Sequence, residues 1–320
     1  MPVIDMPLAQ LKTYQGINPR PADFDSYWES ALAEMNAVDC KPELIPAEFT
    51  CSFANCYHLY YTGTGGARIY AKVILPKGKT QPSPAVLMFH GYTCDCGDFA
   101  DKLHYAAAGY AVAAMDARGQ GGRSEDVGGV LGNTLRGHVT RGLDNDTPDK
   151  LVFRNVFLDT ALLAKILMAM PEVDANDVSV TGGSQGGALS LVCAALCPSI
   201  KRAAVSYPFL SDYKRVWQMD LAKNAYEDLL TYFRKFDPMH EREDEIFTML
   251  GYIDVQHFAD RIKAQVLFFT GLVDTTCPPS TQFAIYNKIT APKELKIFPD
   301  YGHENLPMRN DTIFTFLTKA

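Results

Sequence analysis

The chain has 320 residues, of which 47% are apolar and 21% charged, a composition typical of a globular protein with a sizeable core. The formal net charge is −7 and no lysine- or arginine-rich run occurs, which argues against nucleic acid or an anionic membrane surface as the main partner. No window approaches the roughly 18 uninterrupted apolar residues of a membrane span. The first residues also lack the basic and apolar regions of a signal peptide.

The first 40 residues are predicted to form a polar, helical N-terminal extension. Within residues 23–35, Phe24, Trp28 and Leu32 recur at the i, i+4, i+8 spacing of an amphipathic helix. Further along, CYHLYYT and RIYAKVILP flank the sequence GTGGA, which predicts two antiparallel strands joined by a glycine turn.

Short apolar runs dominate the remainder of the chain. They occupy residues 84–91, 110–119, 177–183, 202–210, 264–274 and 294–300. Each is predicted to be a strand buried on both faces, as parallel sheets require, and helical stretches such as residues 156–170 separate most of them. This alternation predicts a mostly parallel, doubly wound α/β sheet that the antiparallel hairpin leads into.

Two intervals are too long to be simple crossovers between strands. Residues 119–155 are rich in Gly, Arg, Asp and Asn, whereas residues 211–262 are helical and carry many charges. We predict that both are insertions near the carboxyl ends of the strands, where ligands bind in such sheets. Because no repeat or linker marks a boundary, we expect a single domain over residues 1–320.

Cysteine usage and glycine-rich motifs predict neither a metal nor a nucleotide cofactor. The eight cysteines include no C-x-x-C spacing, and Cys94 and Cys96 stand too close for an easy disulfide with each other, so we expect reduced thiols in a cytoplasmic protein. A phosphate loop ending at Gly78-Lys79-Thr80 would need a glycine where Val73 stands. The run RGQGGRS ends in Ser124 where a dinucleotide fingerprint needs glycine.

Residues 178–187 read VSVTGGSQGG, a strand-like run that passes directly into glycines. Within it, GGSQG fits G-x-S-x-G, the nucleophile elbow that holds a serine in a strained turn between a strand and a helix. A glycine-rich turn without chemistry fits the same letters, because short patterns with free positions recur by chance. Ser184 is therefore a candidate nucleophile whose assignment depends on the rest of the chain.

A serine nucleophile needs an imidazole that accepts its proton and a carboxylate that orients the imidazole. On α/β-hydrolase folds the chain order is serine, then the acid, then histidine. Of the histidines after Ser184, only His303 directly follows a strand-like run, and it is the candidate base. His240 and His257 lie in charged helical sequence and are expected to be solvent-exposed.

Asp274 is the candidate acid because it ends the run VLFFTGLVD and precedes a loop that two prolines keep from becoming helical. Its alternative role is an Asx turn or a strand-end cap. Asp300 is the main rival acid. It stands only three residues before His303 on the same predicted loop, from which the far ring nitrogen is difficult to reach.

Acyl transfer also needs backbone N–H donors that bind the oxyanion. One is expected from the residue after the nucleophile, Gln185, and the other from the loop after the third strand of the fold. In the sequence MFHGYTCDCGDF the Tyr92 amide is the natural second donor, and His90 is expected to be structural.

Together these motifs resemble the cephalosporin-C deacetylase and acetyl xylan esterase family of α/β-hydrolases. The resemblance covers nearly the whole chain and is carried by HGY at 90–92, RGQ at 118–120, GGSQGG at 182–187, LVD at 272–274 and GHE at 302–304. It implies a serine esterase that deacetylates acetylated xylo-oligosaccharides, other sugars or cephalosporin C-like acetates, with Ser184, Asp274 and His303 as the triad. It further implies Tyr92 and Gln185 as oxyanion donors, and a homohexamer whose active sites face an internal chamber.

Two alternatives remain beside this expectation. One is a peptidase or other acyl hydrolase on the same fold, although peptidases related to prolyl oligopeptidase usually carry a large extra domain that 320 residues do not hold. The other is a non-catalytic binding protein, although such proteins usually lose a triad member and all three positions are filled here. The family pattern assigns no role to Cys94, Cys96 or Trp217.

Overall fold

The computed structural model of the protein describes residues 4–127, 135–144 and 146–319. Within these ranges the strands are β1 (Glu43–Pro46), β2 (Ala54–Thr62), β3 (Arg68–Pro76), β4 (Ser83–Phe89), β5 (Ala111–Met115), β6 (Val173–Gly183), β7 (Arg202–Ser206), β8 (Gln265–Gly271) and β9 (Lys293–Phe298). The helices are α1 (Leu8–Leu11), α2 (Phe24–Asn36), α3 (Leu103–Ala107), α4 (Val152–Met168), α5 (Gln185–Leu196), α6 (Tyr213–Gln218), α7 (Glu227–Phe236), α8 (Glu243–Leu250), α9 (Pro279–Lys288) and α10 (Arg309–Leu317).

The strands form one sheet in the order β1-β2-β3-β5-β4-β6-β7-β8-β9. The pairs from β1 to β5 across this order are antiparallel, and every pair from β5 to β9 is parallel. The predicted hairpin is present as β2 and β3. This topology confirms the predicted mostly parallel α/β sheet.

Helices cover both faces of the sheet, because alternate residues of each strand point to opposite sides. Leu87 of β4 belongs to the larger apolar cluster, which includes residues of α2, α4 and α5. The adjacent Val86 belongs to a second cluster with residues of α3 and α10. Among the described residues, no helix combines the length and the hydropathy needed to cross a lipid bilayer.

The two edges of the sheet differ from the prediction. β9 was expected to be buried on both faces, but its residues are half-buried or exposed, because an edge strand has a neighbour on one side only. β1 was not predicted at all. Its four residues are all exposed, so its sequence carries no alternation of apolar and polar positions.

The N-terminal extension packs against the end of the second insertion. Phe24 and Trp28 of α2 are fully buried, as their spacing predicts, and the Phe24 ring lies 5.0 Å from that of Phe258. The same contact buries His257, which is only 5% exposed and hydrogen-bonds through Nε2 to the Pro19 carbonyl (3.2 Å). The expectation that His257 is solvent-exposed is therefore wrong, because the extension covers it. The His240 side chain is 43% exposed, as expected.

Both long intervals begin after the carboxyl ends of strands, β5 for residues 119–155 and β7 for residues 211–262. Part of the first interval, residues 128–134 and 145, lies outside the described residues. The second interval contains α6, α7 and α8. These positions put the described parts of both intervals at the edge of the sheet where Ser184 lies.

Candidate active site

Ser184 occupies a sharp turn between β6 and α5. Its backbone adopts φ 56° and ψ −123°, a conformation that side-chain-bearing residues rarely take. Three backbone hydrogen bonds hold it there: the Ser184 N–H donates to the Ser206 carbonyl (3.0 Å), and the Ser184 carbonyl accepts from the Phe209 N–H (3.1 Å) and the Ala188 N–H (3.1 Å). The turn presents the Ser184 hydroxyl at the carboxyl edge of the sheet.

The glycines around Ser184 are needed because backbone segments touch there. A Cβ on Gly186 would lie 2.0 Å from the Phe89 carbonyl oxygen, and one on Gly182 would lie 2.4 Å from the backbone of Gly186. Both distances are far below van der Waals contact, so any side chain would push α5 away from β4 and β6. Close packing of the backbone at the elbow thus explains why the sequence has several glycines around Ser184.

His303 lies in the loop after β9 and joins Ser184 to Asp274. Its Nε2 is 3.0 Å from the Ser184 Oγ, and its Nδ1 is 2.8 Å from the Asp274 Oδ2. Because an ionised carboxylate can only accept, Nδ1 carries the proton, and Nε2 is left to accept from the serine hydroxyl. The three predicted side chains therefore form one continuous hydrogen-bonded chain.

Asp274 is fully buried and its carboxylate is surrounded by donors. Besides His303, it accepts from the backbone N–H groups of Thr276 (2.8 Å) and Cys277 (2.8 Å) and from the Gln282 amide (3.3 Å). The Asx-type turn considered as its alternative role is thus present together with the contact to His303. The rival Asp300 is exposed.

Two backbone N–H groups, those of Gln185 and Tyr92, are the predicted oxyanion donors. Gln185 is the first residue of α5, where an N–H has no acceptor within the helix, and the positive end of the helix dipole adds to its attraction for an anion. The Tyr92 N–H makes no hydrogen bond within the described part of the chain. The loop that carries Tyr92 crosses the start of α5, as the contact between Gly186 and the Phe89 carbonyl shows.

A pair of glutamine amides fixes this loop against α5. The Gln120 Nε2 donates to the Gln185 Oε1 (2.8 Å), and the Gln185 Nε2 donates back to the Gln120 Oε1 (3.0 Å). The same Gln120 oxygen accepts from the N–H of Thr93, the residue after Tyr92 (3.0 Å). Both glutamines are fully buried. Gln120 therefore connects both predicted oxyanion donors, a role that sequence reasoning did not assign to it.

The side chain of Tyr92 links its loop to the second insertion. Its hydroxyl donates to the Asp228 carboxylate of α7 (3.0 Å) and accepts from the His138 N–H (3.1 Å). Burial, with the nearby Asp228 charge, raises the pKa of this hydroxyl, so it stays protonated at neutral pH. No signal in the sequence indicated that Asp228, far along the chain, would contact Tyr92.

His90 is structural, as expected. Its Nε2 accepts from the Ala117 N–H (2.9 Å) and its Nδ1 donates to the Gly91 carbonyl (2.7 Å), which is the hydrogen-bonding pattern of a neutral imidazole. Burial lowers its pKa, in agreement with the neutral form.

Tyr207 packs against the other side of the histidine. Its ring centroid lies 4.6 Å from that of His303, and the Arg309 guanidinium donates to its hydroxyl (2.6 Å). Its backbone has φ 36°, a second strained residue beside Ser184. Tyr207 thus limits the rotation of the His303 ring, and it was not among the predicted site residues.

Arg118 of the RGQ motif has a different function in the fold. Its guanidinium forms two hydrogen bonds of 2.7 Å with the Asp159 carboxylate of α4, and both side chains are almost fully buried. Among the described residues, no group of three or more His, Cys, Asp or Glu side chains is placed to hold a metal ion. All eight cysteines are free thiols in the structure.

Sequence comparison identifies the relatives of this chain. The family model described as Acetyl xylan esterase (AXE1) matches residues 1–320. Acetyl esterase Axe7A of Xylanibacter ruminicola is 30% identical over 308 residues, which cover 93% of this chain and 67% of the relative.

Comparison of structures gives the same result. Acetyl xylan esterase 1 from Thermoanaerobacterium sp. JW/SL YS485 is 58% identical and superimposes with a TM-score of 0.95, covering 98% of each chain. The acetyl xylan esterase from Paenibacillus sp. R4 is 34% identical with a TM-score of 0.89, covering 98% of this chain and 99% of the other. With its fold and the whole-chain match, this chain belongs to the acetyl xylan esterase family, a family of α/β-hydrolases that are carboxylic ester hydrolases.

Proposed function

We propose that the protein is a serine esterase that removes acetyl groups from small acetylated substrates, with Ser184 as nucleophile, His303 as base and Asp274 as orienting acid. The observation that carries this proposal is the hydrogen-bonded chain from Ser184 through His303 to Asp274 at a strained elbow. Acetylated xylo-oligosaccharides, other acetylated sugars and cephalosporin C-like acetates are the proposed substrates, which the membership of the family supports.

Acylation begins when the Ser184 Oγ attacks the acetyl carbonyl carbon and its proton passes to the His303 Nε2. The buried Asp274 carboxylate stabilises the imidazolium that forms. The carbonyl oxygen becomes an oxyanion, which the Tyr92 and Gln185 N–H groups bind. Each group makes its contribution without moving, because the elbow, the loop and α5 are packed together.

The tetrahedral intermediate then collapses as His303 returns the proton to the leaving alkoxide oxygen. The sugar alcohol departs and the acetyl group stays as an ester on Ser184. Water attacks this ester while His303 accepts its proton, and the proton is delivered to the serine oxygen when acetate leaves. No metal or nucleotide takes part in these steps.

Cys277 is a competing nucleophile close to the triad, since its backbone N–H donates to the Asp274 carboxylate (2.8 Å). Burial raises the pKa of its thiol well above the usual value, so it is not a thiolate at neutral pH. This supports Ser184 as the attacking group.

The proposal includes the assembly and location expected from the sequence. We propose a homohexamer whose internal chamber admits small acetylated substrates, and a cytoplasmic location that the eight free thiols support. Nucleic acid and membrane are not proposed as partners.

The test compares Ser184→Ala with the wild type, using Ser199→Ala, at an exposed position in the turn after α5, as matched control. Ser184→Ala should lose nearly all hydrolysis of p-nitrophenyl acetate and of acetylated xylo-oligosaccharides, and a serine-directed phosphonate should label Ser184 only. Residual turnover within about tenfold of the wild type would contradict the assignment, because members of a triad usually contribute far more. A peptide-bond assay run beside the ester assay distinguishes the peptidase alternative.

A further inference from the structure

Trp217, which the reaction above does not use, lines a separate cavity of about 590 Å³ in the second insertion. The cavity lies between α6, α7 and the segment before α8. Its described lining consists of the following residues: Trp217, Gln218, Asp220, Ala222, Leu230, His240 and Glu243. It therefore combines one large aromatic surface with several polar side chains.

The indole of Trp217 is held rigidly. Its centroid lies 4.5 Å from the ring of Phe233, tilted by 31°, and 5.3 Å from the ring of His240. Phe233 is fully buried and connects the indole to the core. A flat side chain seated on the core in this way offers an aromatic surface that loses little conformational freedom when a ligand packs against it.

The indole N–H and two polar side chains of the lining are available to a ligand, whereas His240 and Glu243 lie 3.5 Å from each other as a pair. Within the described part of the chain, the Trp217 Nε1 donates to no acceptor, whereas the Nε1 of Trp28 donates to the Tyr252 carbonyl (3.0 Å). The side chains of Gln218 and Asp220 are exposed and make no side-chain hydrogen bond within the described residues. The cavity thus offers a donor, an amide and a carboxylate beside an apolar face.

This combination selects a class of ligand. A pyranose ring has an apolar face of C–H groups and a rim of hydroxyls, and an indole with neighbouring amide and carboxylate groups complements both. No lysine or arginine occurs among the described lining residues, so the cavity lacks the cations that a phosphate or sulfate would require.

Helix α7 contacts both the loop of Tyr92 and the cavity. Asp228 in the first turn of this helix holds the Tyr92 hydroxyl, and Phe233, five positions later, supports Trp217. At the rise of an α-helix these positions are about 7.5 Å apart along the axis. The same helix thus contacts both the side chain of Tyr92 and the ring that supports Trp217.

We propose that the cavity at Trp217 is a subsite that binds a sugar ring of an oligosaccharide substrate at a distance from the acetyl group being removed. This inference rests on the proposed function for the identity of the substrate, but its binding step does not require hydrolysis. The subsite lowers the KM for oligosaccharides and leaves the chemistry at Ser184 unchanged.

Binding is tested by calorimetry with the Ser184→Ala protein and unacetylated xylotetraose. Saturable binding is expected, and Trp217→Ala should weaken it roughly threefold to tenfold, the range expected for an aromatic contact. Trp217→Phe, which keeps an aromatic ring on Phe233, should retain part of the affinity. The chain has two tryptophans, and Trp28 is fully buried, so a shift in tryptophan fluorescence on titration reports Trp217.

Kinetics give a second, independent result. With Ser184 intact, Trp217→Ala should raise the KM for acetylated xylotetraose severalfold at unchanged kcat, while p-nitrophenyl acetate and acetylated xylose are hydrolysed as by the wild type. Met239→Ala, at an apolar side chain that is 78% exposed and outside the lining, is the matched control and should change neither constant. Gln218→Ala and, because Asp220 has a backbone φ of 54° that asparagine also tolerates, Asp220→Asn should each weaken binding.

Equal affinity of the wild type and Trp217→Ala for xylotetraose would overturn the inference. Binding of choline in place of the sugar would overturn it as well, because it would identify a site for a cation beside an aromatic ring. If Ser184 proved not to be the nucleophile, the calorimetry would still decide the question of the subsite. If the subsite were absent, hydrolysis of p-nitrophenyl acetate would still test Ser184.

Discussion

Replacement of Gln120 by leucine should reduce turnover although Gln120 does not contact the substrate. Leucine has a similar volume but removes the amide that bonds to Gln185 and to the Thr93 N–H. The Gln185 oxygen is then left without its partner in a fully buried place, and the Thr93 N–H loses its partner in a partly buried one. At about 1–3 kcal/mol for each unsatisfied group, the free energy of unfolding should fall by about 2–6 kcal/mol.

The effect on rate follows from the position of these groups. Thr93 follows Tyr92 and the Gln185 N–H begins α5, so both proposed oxyanion donors lose a restraint together. Complete loss of one such donor costs on the order of 100-fold to 1,000-fold in kcat. In Gln120→Leu the N–H groups of Tyr92 and Gln185 remain present and are only less well placed. We therefore expect kcat to fall by a smaller factor, about tenfold to 100-fold.

The assay measures kcat and KM for p-nitrophenyl acetate together with denaturant unfolding. Leu163→Ala, at a fully buried position of α4 that is not part of the site, should lower stability by about 2–5 kcal/mol and serves as a control for destabilisation alone. If Gln120→Leu keeps its kcat within twofold of the wild type while its stability falls as in Leu163→Ala, the amide pair stabilises the fold only. The reasoning about the oxyanion donors would then be refuted.

Two further predictions concern stability and size selection. Burial lowers the pKa of His257 to about 3, and because the unfolded chain binds its proton near pH 6.5, the free energy of unfolding should fall on acidification by about 1.4 kcal/mol per pH unit between about pH 6.5 and pH 3. His257→Gln, with an amide that can donate to the Pro19 carbonyl, should flatten this dependence in denaturant unfolding at a series of pH values; identical slopes would contradict the prediction. Light scattering should show a hexamer, and acetate release should be faster from short acetylated xylo-oligosaccharides than from intact acetylated xylan. A monomer that deacetylates the polymer equally fast would rule out selection by a chamber.

The sequence predicted those features that depend on local pattern. The apolar runs placed β4 to β8 because central strands of a parallel sheet are buried on both faces, and G-x-S-x-G placed the turn at Ser184. The order of Ser184, Asp274 and His303 selected side chains that the fold brings into one hydrogen-bonded chain. These assignments required only the positions of the strand ends and the order of the residues along the chain.

Features that depend on contacts between distant segments could not be predicted. β1 carries no periodic signal because all its residues are exposed, and His257 is buried by an extension that precedes it by more than 200 residues, as its bond to Pro19 shows. The contacts of Tyr92 with Asp228 and of Gln120 with Gln185 are likewise long-range. A single sequence contains the residues of such pairs, but it does not indicate which distant residues come into contact.

The crowding at the glycine elbow has a consequence for mutational scanning of this protein. Alanine at Gly182 or Gly186 adds one carbon atom, yet it would displace both the nucleophile and the start of α5, because neither position has room for that atom. A scan scored by activity alone will therefore rank these chemically inert residues with Ser184. If the amount of folded protein is also measured for every variant, catalytic residues can be distinguished from glycines that are needed only for close packing.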